Sequence, residues 1–397
     1  MEDSKKHILL QNNYSIAYTD NDVFVNNNTI KKEDGSSYSG EDGKNYAEGL
    51  KNKLYNAFLK KHYKHIVILT AAGTSLDNGD KSGKTRDGLW TECQTEIDAF
   101  NSKITDLKNK DFYTHKDIES LLSYIVLYEK LNGIIKNGNN ENLKEKLETK
   151  IANLCKLELH SHAPHKDFLN KITARKNNDA RVQLFTTNYD TLFEQAANKA
   201  GFVVIDGFSF TQPREFAGKW FDLDIVNREK TRLKQEESFI SKVLHLYKLH
   251  GSLNWTKTKD KICQKDNAEN PLIIYPASDK YESSYEQPYF EMMSRFQQAL
   301  RKEETLLIVL GFGFQDKHIK NVIVEAVEQN PSFQLLIVNY NGNGCISADN
   351  LDEFFTDKEN MKVKRNVNII FDKFKDFTDK YPENQTYIIK EKENETV

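Results

Sequence analysis

Two polar side chains stand out in the sequence because each one follows an apolar run. Asn188 follows the run Val182–Thr186, and His250 follows the run Val243–Leu249. An amide side chain can donate hydrogen bonds to hydroxyl groups or to a water molecule, and it can also accept them. A histidine can act as a general base near neutral pH. A lone histidine is more often structural, but a place beside other polar strand ends favours a catalytic interpretation.

Small residues follow two other apolar runs, His65–Thr70 and Leu306–Leu310. Small residues let the backbone approach a ligand closely, and free amide groups at a turn into a helix can hold a phosphate. Each segment also fits an ordinary tight turn, because no complete Gly-x-Gly-x-x-Gly pattern is present. The candidate ligand contacts in these two segments are Ala72, Gly73, Thr74, Ser75, Gly311, Phe312 and Gly313.

Four other polar residues complete the candidate binding set. Thr187 and Asp190 lie beside Asn188 in the sequence. Asp190 also suits the N-terminal cap of the following helix, so an ordinary cap remains the alternative for it. Arg86 can meet a phosphate group. Asn339 ends a further apolar run, where it can contact a ribose or an adenine edge.

Apolar runs recur along the chain and alternate with segments that have helical spacing. The spacing predicts a helix over about 46–62, mostly helical structure over 92–175, and helices that begin near Asp190 and Asp316. Short apolar runs are typical of strands buried on both faces of a parallel sheet. We therefore predict an α/β fold with a doubly wound, mostly parallel Rossmann-like sheet and a helical insertion, in which ligands bind at the carboxyl ends of the strands. The predicted strands are His65–Thr70, Val182–Thr186, Val203–Ile205, Val243–Leu249, Leu272–Tyr275, Leu306–Leu310, Leu335–Val338 and Val367–Phe371.

The two ends of the chain differ in composition from its middle. Residues 1–45 are polar and rich in Asn, Asp, Ser and Gly, which predicts an N-terminal arm or loop. Residues 46–390 are predicted to form the main domain, with the helical insertion at about 92–175. The polar residues 391–397 are predicted to form a frayed tail.

Composition excludes several classes of function. The 397 residues include 56 basic and 59 acidic side chains, a balance that does not predict direct nucleic-acid binding. No apolar run approaches the length of a membrane span, and the first residues lack the pattern of a signal peptide. The four cysteines are far apart, which is typical of reduced thiols. We therefore expect a soluble, cytoplasmic protein that does not bind membranes.

Two segments suggest other kinds of site. Gly83-Lys84-Thr85 is similar to the end of a P-loop, but the glycine that the motif requires five residues earlier is Asn78, so we predict no ATP site. The segment 160–165 contains three histidines without an accompanying cysteine or carboxylate. Pro164 suits the start of a helix, so we interpret this segment as a helix start that packs near the site.

Taken in order, the segments over residues 65–340 resemble the sirtuin family. Its pattern is G-A-G-x-S, then T-x-N-x-D, then H-G, then a glycine–serine segment, each after a strand. The resemblance implies that Asn188 and His250 act at the nicotinamide ribose of NAD. The forms T-T-N-Y-D and K-L-H-G-S-L-N-W, with G-F-x-F-x-D-x-H, are similar to a bacterial sirtuin-like branch whose known members are NAD-consuming antiviral effectors.

The resemblance implies an NAD glycohydrolase that uses NAD as its substrate and releases nicotinamide and ADP-ribose. Gly73, Thr74 and Ser75 would then hold the pyrophosphate. The same resemblance implies an antiphage effector that depletes NAD in abortive infection, a homo-oligomer, and a hexameric DNA-translocating ATPase as a candidate partner. Whether the product is linear or cyclic ADP-ribose stays open, because that depends on water access.

The sequence also departs from the deacylases of this family. They hold a zinc ion in two C-x-x-C pairs, and none of the four cysteines here forms such a pair, so we expect no structural zinc. Arg86-Asp87-Gly88-Leu89-Trp90 does not reproduce the deacylase P-D-F-R segment, and Ala71-Ala72 replaces Gly-Ala. Ile274-Tyr275-Pro276 stands in place of the segment that seats the peptide. Two alternatives therefore remain: an NAD-dependent protein deacylase, and a non-catalytic sensor or scaffold that binds NAD or ADP-ribose.

Overall fold

The computed structural model describes residues 5–176, 179–227, 239–259, 261–266, 268, 271–273, 287–340 and 350–384. Its centre is an eleven-stranded sheet in the order β4-β3-β2-β1-β11-β10-β9-β5-β6-β8-β7. These strands are β1 Lys6–Gln11, β2 Tyr14–Tyr18, β3 Val23–Val25, β4 Asn28–Ile30, β5 His65–Thr70, β6 Gln183–Thr186, β7 Val203–Ile205, β8 Val243–Lys248, β9 Thr305–Leu310, β10 Gln334–Val338 and β11 Val367–Ile370.

The seven strands from β11 to β7 in the sheet order pair in parallel. Ile68 of β5, for example, lies between Ile308 of β9 and Leu184 of β6. All six residues of β8 and all six of β9 are buried, as expected for strands that are covered on both faces. The predicted α/β fold with a doubly wound parallel sheet is confirmed.

Two neighbouring central strands, β5 and β9, mark the point where the winding reverses. From β5 the chain continues to β6, β7 and β8 on one side, and from β9 it continues to β10 and β11 on the other. The loops that leave the carboxyl ends of β5 and β9 therefore diverge and leave a crevice between them. In open α/β sheets this crevice is where ligands bind.

Helices cover both faces of the sheet. Ile66 and Ile68 of β5 pack with α1, α8, α9 and α12, whereas Val67 and Leu69 pack with α10 and α11 on the other face. None of the described helices is long and apolar enough to cross a membrane. The α-helices are α1 Gly40–Leu59, α2 Ala72–Leu76, α3 Arg86–Glu92, α4 Gln94–Asn101, α5 Asp111–Thr114, α6 Ile118–Asn132, α7 Leu143–Cys155, α8 His165–Thr173, α9 Leu192–Lys199, α10 Tyr289–Leu300, α11 Lys317–Gln329 and α12 Phe374–Lys380. Short 3-10 helices are Gly79–Lys81, Leu107–Asn109, Gly218–Asp222 and Asp352–Phe354.

The helical insertion has a hydrophobic core of its own. Fourteen buried residues from Trp90 to Ile151 pack together there, separately from the two cores of the sheet. Helices α4 to α7 lie in the range that was predicted to be mostly helical. Helix α8 lies in that range too, but Phe168 and Leu169 pack against the sheet instead.

The prediction of a polar arm over residues 1–45 is wrong for Lys6–Ile30, which form strands β1 to β4. Strand β1 pairs antiparallel with β11, with Leu9 opposite Ile370. Apolar side chains such as Ile8 and Ile16 are buried by this pairing and hold the strands on the sheet. The Asn26-Asn27 pair between β3 and β4 is the feature of the sequence that indicates a hairpin here. Both residues have positive φ, as a tight hairpin turn requires, and asparagine tolerates this conformation.

The predicted strand Leu272–Tyr275 is not part of the parallel sheet. Leu272–Ile273 pairs antiparallel with Gly251–Ser252 in a separate two-stranded sheet, and Ile274 and Tyr275 lie outside the described residues. Leu272 and Ile273 are only half-buried, whereas the strands of the parallel sheet are buried on both faces. The predicted tail at 391–397 also lies outside the described residues. Other short strands are Arg214–Glu215, Trp255–Thr258, Lys261–Gln264, Phe355–Asp357 and Lys362–Val363.

Candidate active site

A cavity of about 360 Å³ lies at the carboxyl ends of β5, β6, β8 and β9. The sheet side of this cavity is formed by the loops that follow those strands, and the facing wall is formed by α3, α6 and α7 of the insertion. Its volume is in the range of small-molecule sites. Polar groups from the sheet side include Ser75, Asn188 and His250, and those from the facing wall include Arg86 of α3 and Glu119 of the insertion.

Two glycines join the loops that follow β5 and β9. The backbone amide of Gly73 donates a hydrogen bond to the carbonyl of Gly311 at 3.1 Å. A Cβ atom on Gly73 would lie 2.5 Å from Cα of Gly311, and Gly311 has a φ of +63°. Only glycine permits both the close approach and this backbone conformation. These two glycines therefore set the distance between the two loops that border the crevice.

Asn188 is held by several hydrogen bonds at the end of β6. Its Nδ2 donates to the carbonyl of Ala71 at 3.0 Å, to Oγ of Ser75 at 2.9 Å and to Oγ1 of Thr74 at 3.2 Å. Its backbone amide donates to Oγ1 of Thr186. Because Nδ2 is engaged in this way, the side-chain oxygen Oδ1 is the group that a ligand in the cavity can meet. That oxygen is a hydrogen-bond acceptor.

Asp190 connects the same loop to two helices. Its Oδ2 accepts a hydrogen bond from Oγ of Ser75 at 2.6 Å, and its Oδ1 accepts one from the amide of Leu192, the first residue of α9. The buried ammonium of Lys248 donates to the carbonyl of Asp190 and to Glu194. Asp190 is therefore not the N-cap of α9, which is Thr191, but it bonds the first amide of that helix and also holds Ser75, which contacts Asn188.

His250 is buried, with 2% of its surface exposed, and it lies at the end of β8. Its Nε2 lies 3.0 Å from Oδ2 of Asp316, so Nε2 donates to that carboxylate. Burial alone would lower the pKa of His250, but the hydrogen bond to Asp316 and the charges of Glu119 and Asp316 outweigh it, and the pKa is raised. Burial opposes ionisation of Asp316 as well, but the bonded His250 holds the pKa of this carboxyl below its usual range.

The other nitrogen of His250, Nδ1, has no hydrogen-bond partner among the described residues. It lies 3.9 Å from Oε1 of Glu119, which is too far for a hydrogen bond. That carboxylate oxygen accepts a hydrogen bond from the hydroxyl of Tyr189 at 2.9 Å. Burial raises the pKa of Glu119, and the charge of His250 and the bond from Tyr189 offset this only in part. The site therefore presents an unpartnered imidazole nitrogen beside a carboxylate.

Cationic side chains from the insertion and from α11 border the same cavity. Arg86 places Nη1 3.4 Å from Oδ2 of Asp117, and Nε of Arg86 is buried without a hydrogen-bond partner among the described residues. Lys84 and Lys317 also line the cavity. Asp111 and Asp117 line the same side, and Arg86 and Lys84 pair with Asp117 and Glu92, so a phosphate here would share these cations with carboxylates.

Residues 182–360 match the SIR2-like domain family. The matched segment contains Asn188, His250 and Asp316. No curated protein sequence matches the chain significantly. A solved structure of a Sir2 variant with a deacetylated p53 peptide and 3′-O-acetyl ADP-ribose has 13% sequence identity and a TM-score of 0.34, and the alignment covers 83% of this chain and 96% of that chain.

The structure brings together most of the residues that the sequence singled out. Gly73 and Thr74 do not line the cavity; Thr74 is fully buried and donates to the carbonyl of Ala71. Asn339 also does not line the cavity, and its backbone amide pairs with the carbonyl of Ile370. The predicted residues that do line it are Ala72, Ser75, Arg86, Thr187, Asn188, Asp190, His250, Gly311, Phe312 and Gly313.

Two carboxylates in the site were missed by sequence reasoning. Asp316 was interpreted as a helix cap, which it is, because its Oδ1 accepts from the amides of His318 and Ile319. Its second oxygen holds His250, and its place three residues after Gly313, in the segment that follows a predicted strand, was the available signal. Glu119 gave no signal, because it is one of many charged residues on a helix of the insertion.

The segments 83–85 and 160–165, which also suggested sites in the sequence, have structural roles. Gly83 and Lys84 border the cavity, but the hydroxyl of Thr85 accepts from the amide of Gly88 and caps α3. His165 begins α8 and packs against Phe193 and Phe374 away from the cavity lining. Within the described ranges, no three His, Cys, Asp or Glu side chains form a group that could hold a metal ion. Cys345 lies outside those ranges, so the expectation of no structural zinc stays a prediction.

Proposed function

We propose that this protein is an NAD glycohydrolase, which breaks the bond between nicotinamide and C1′ of the attached ribose. One observation supports this most directly: the unpartnered Nδ1 of His250 and the acceptor oxygen of Asn188 border the same crevice of the sheet. The match of residues 182–360 to the SIR2-like domain family adds support, because that family name is associated with NAD-dependent chemistry.

The proposed reaction requires little acid catalysis. Nicotinamide is cationic in NAD and leaves as a neutral molecule with the electron pair of the broken bond, while C1′ of the ribose gains positive charge. A water molecule then adds to C1′, and the proton that it loses passes through a ribose hydroxyl to Nδ1 of His250. Because Nε2 of His250 donates to Asp316, Nδ1 is the basic nitrogen of this ring. The acceptor oxygen of Asn188 would orient the ribose hydroxyls or the attacking water.

The cationic side of the cavity suits the rest of the substrate. The pyrophosphate of NAD carries negative charge, and Arg86, Lys84 and Lys317 border the cavity. The small residues Ala72 and Gly311 leave room for the chain of the dinucleotide near the loops. The proposed position of Asn339 at an adenine or ribose edge rests on its place after β10 alone.

The resemblance to the bacterial sirtuin-like branch extends the proposal to a biological role. The protein would be a cytoplasmic antiphage effector that depletes NAD in abortive infection, would act as a homo-oligomer, and would work with a hexameric DNA-translocating ATPase. An NAD-depleting enzyme is harmful when it is always active, which is a reason to expect control by a partner. NAD levels in phage-infected bacteria should fall with the wild-type protein and not with His250→Ala.

Nicotinamide release from NAD tests the proposed activity. Purified Asn188→Ala and His250→Ala proteins should lose release by about 100-fold or more, since a general base alone contributes ~100- to 10,000-fold. Glu145→Ala, an exposed change on α7 of the insertion that does not line the cavity, is the matched control and should retain activity. Turnover that is unchanged in both site variants would contradict the proposal, provided that circular dichroism shows them to be folded.

A second assay separates hydrolysis from the related reaction of a deacylase. Acetyl-lysine peptides incubated with protein and NAD should remain acetylated while nicotinamide is released. Loss of acetyl groups, read by mass spectrometry, would replace the proposed hydrolase with a deacylase. Binding of NAD without turnover, even with the candidate ATPase present, would favour a sensor or scaffold.

A further inference from the structure

The inference begins with a pair of acceptors in the wall of the cavity. Nδ1 of His250 and Oε1 of Glu119 lie 3.9 Å apart, and no described group bridges them. Nε2 of His250 carries the proton that it donates to Asp316, so Nδ1 presents a lone pair. The carboxylate oxygen of Glu119 already accepts one bond from Tyr189 and has capacity for another.

Two adjacent acceptors at this separation match a particular chemical group. A vicinal cis diol carries two neighbouring hydroxyls, each of which can donate to a different acceptor. A single hydroxyl has only one hydrogen and would leave one of the two acceptors unsatisfied, and an unsatisfied buried acceptor is costly. A ribose with free 2′ and 3′ hydroxyls provides such a diol.

We propose that Glu119 contacts substrate, and that its carboxylate and Nδ1 of His250 together bind the vicinal diol of the ribose attached to nicotinamide. The proposal rests on the proposed NAD cleavage and names the part of the substrate that the insertion contacts. Glu119 lies in the first turn of α6, whereas His250 lies in the turn that follows strand β8 of the sheet. The diol would therefore be held between the insertion and the sheet.

Tyr189 and Asp316 hold the side chains of Glu119 and His250 in place by hydrogen bonds. The hydroxyl of Tyr189 fixes Oε1 of Glu119, and Tyr189 immediately follows Asn188 in the chain. Asp316 fixes the imidazole of His250. Tyr189 and Asp316 are therefore positioning residues, because each acts through the side chain that it holds. The carboxylate would also lie near the ribose carbon that gains positive charge during cleavage, where a negative charge is stabilising.

Calorimetric binding of ADP-ribose and of ADP tests the contact without turnover. ADP-ribose has a terminal ribose with the diol, and ADP lacks that sugar. Glu119→Ala should weaken ADP-ribose binding about 10- to 100-fold, as expected for loss of a hydrogen bond to a charged group, and leave ADP binding unchanged. Glu119→Gln keeps an acceptor oxygen and should recover part of the affinity. Glu145→Ala, an exposed change away from the cavity lining, should bind both ligands as the wild-type protein does.

The outcomes separate this proposal from the proposed activity. Equal weakening of ADP-ribose and ADP by Glu119→Ala, or no weakening of either, would overturn the diol contact. If the wild-type protein binds ADP-ribose through Glu119 but releases no nicotinamide from NAD, the hydrolase activity fails and the contact stands. If the wild-type protein binds neither ligand, the diol contact is overturned, and nicotinamide release from NAD decides the proposed activity separately.

Discussion

At the scale of single residues, the most informative arrangement is the imidazole of His250 between two carboxylates. Asp316 bonds to one nitrogen, and Glu119 lies near the other. A buried carboxylate that accepts from one ring nitrogen decides which nitrogen is free to act as the base. The same carboxylate of Asp316 also begins α11, so one side chain fixes both a helix and the proposed base.

Asp316→Asn tests whether activity depends on the tautomer of His250 in which Nε2 carries the proton. Asparagine also caps helices, so α11 should remain folded. Its amide can donate to Nε2 of His250, which places the ring proton on Nδ1 and removes the basic nitrogen from the cavity. We expect kcat for nicotinamide release to fall by roughly 100- to 10,000-fold, the usual range for a lost general base. Activity within a factor of two of the wild type would show that the tautomer is not set by Asp316.

The pH dependence of cleavage should report the raised pKa of His250. A base acts only when it is unprotonated, so kcat should rise with pH and reach half its maximum above pH 6.5, the ordinary pKa of histidine. The charged groups that face the ring are Asp316 and Glu119, and both favour the protonated form. Glu119→Gln should therefore shift the midpoint to lower pH. A midpoint well below 6.5 in the wild-type protein would contradict the assignment.

At the scale of elements, the cavity depends on how closely the loops after β5 and β9 approach. Gly311→Ala would place a methyl group 2.5 Å from Cα of Gly73 in a backbone conformation with φ of +63°. The left-handed conformation and the overpacking together should lower the free energy of unfolding by roughly 2–5 kcal/mol. Chemical denaturation measures this change.

Gly313→Ala is the matched control for the glycine prediction. It lies two residues further along the same loop, and a Cβ atom there would meet nothing nearer than 3.8 Å. Its stability should stay within about 0.5 kcal/mol of the wild type, as for most surface changes. Equal destabilisation by the two variants would mean that the contact between Gly73 and Gly311 has no special importance.

The same elements show what sequence can and cannot predict. Strands such as β5 and β9 were predictable because most of their residues are apolar and buried. The polar residues that follow them fall at one edge of a parallel sheet. Glu119 was not predictable, because its place depends on how the insertion packs over that edge. Strands β1 to β4 were missed because polar residues make up most of the segment 1–45 and separate its short apolar runs.

At the scale of the whole molecule, three buried histidines should make the fold sensitive to acid. Burial lowers the pKa of His165 to about 3, and it lowers the pKa values of His7 and His245 to about 4. In the unfolded chain they titrate near 6.5, so between about pH 4 and 6.5 the unfolded state binds more protons. Stability contributed by these groups is full above pH 6.5 and declines as the pH falls.

When the pH falls from 7.5 to 5.5, each of these histidines should lower the free energy of unfolding by about 1 kcal/mol. His165→Phe removes one of them from a pocket already lined by Phe193 and Phe374, and it should reduce the loss by about a third. Urea unfolding at the two pH values measures the difference. His115→Phe changes an exposed histidine and should leave the acid sensitivity as it is. A variant of His165 that is as acid-sensitive as the wild type would contradict this account.

The pairing of β1 with β11 has a consequence during translation. Leu9 lies opposite Ile370, about 360 residues later in the chain, so β1 has no edge of the sheet to join until β11 has been synthesised. At ~5–20 residues per second, the first strands wait roughly 20 to 70 s before they can pair. His250 and Asp316 also come together only late in synthesis, so a nascent chain on the ribosome would not yet possess the site.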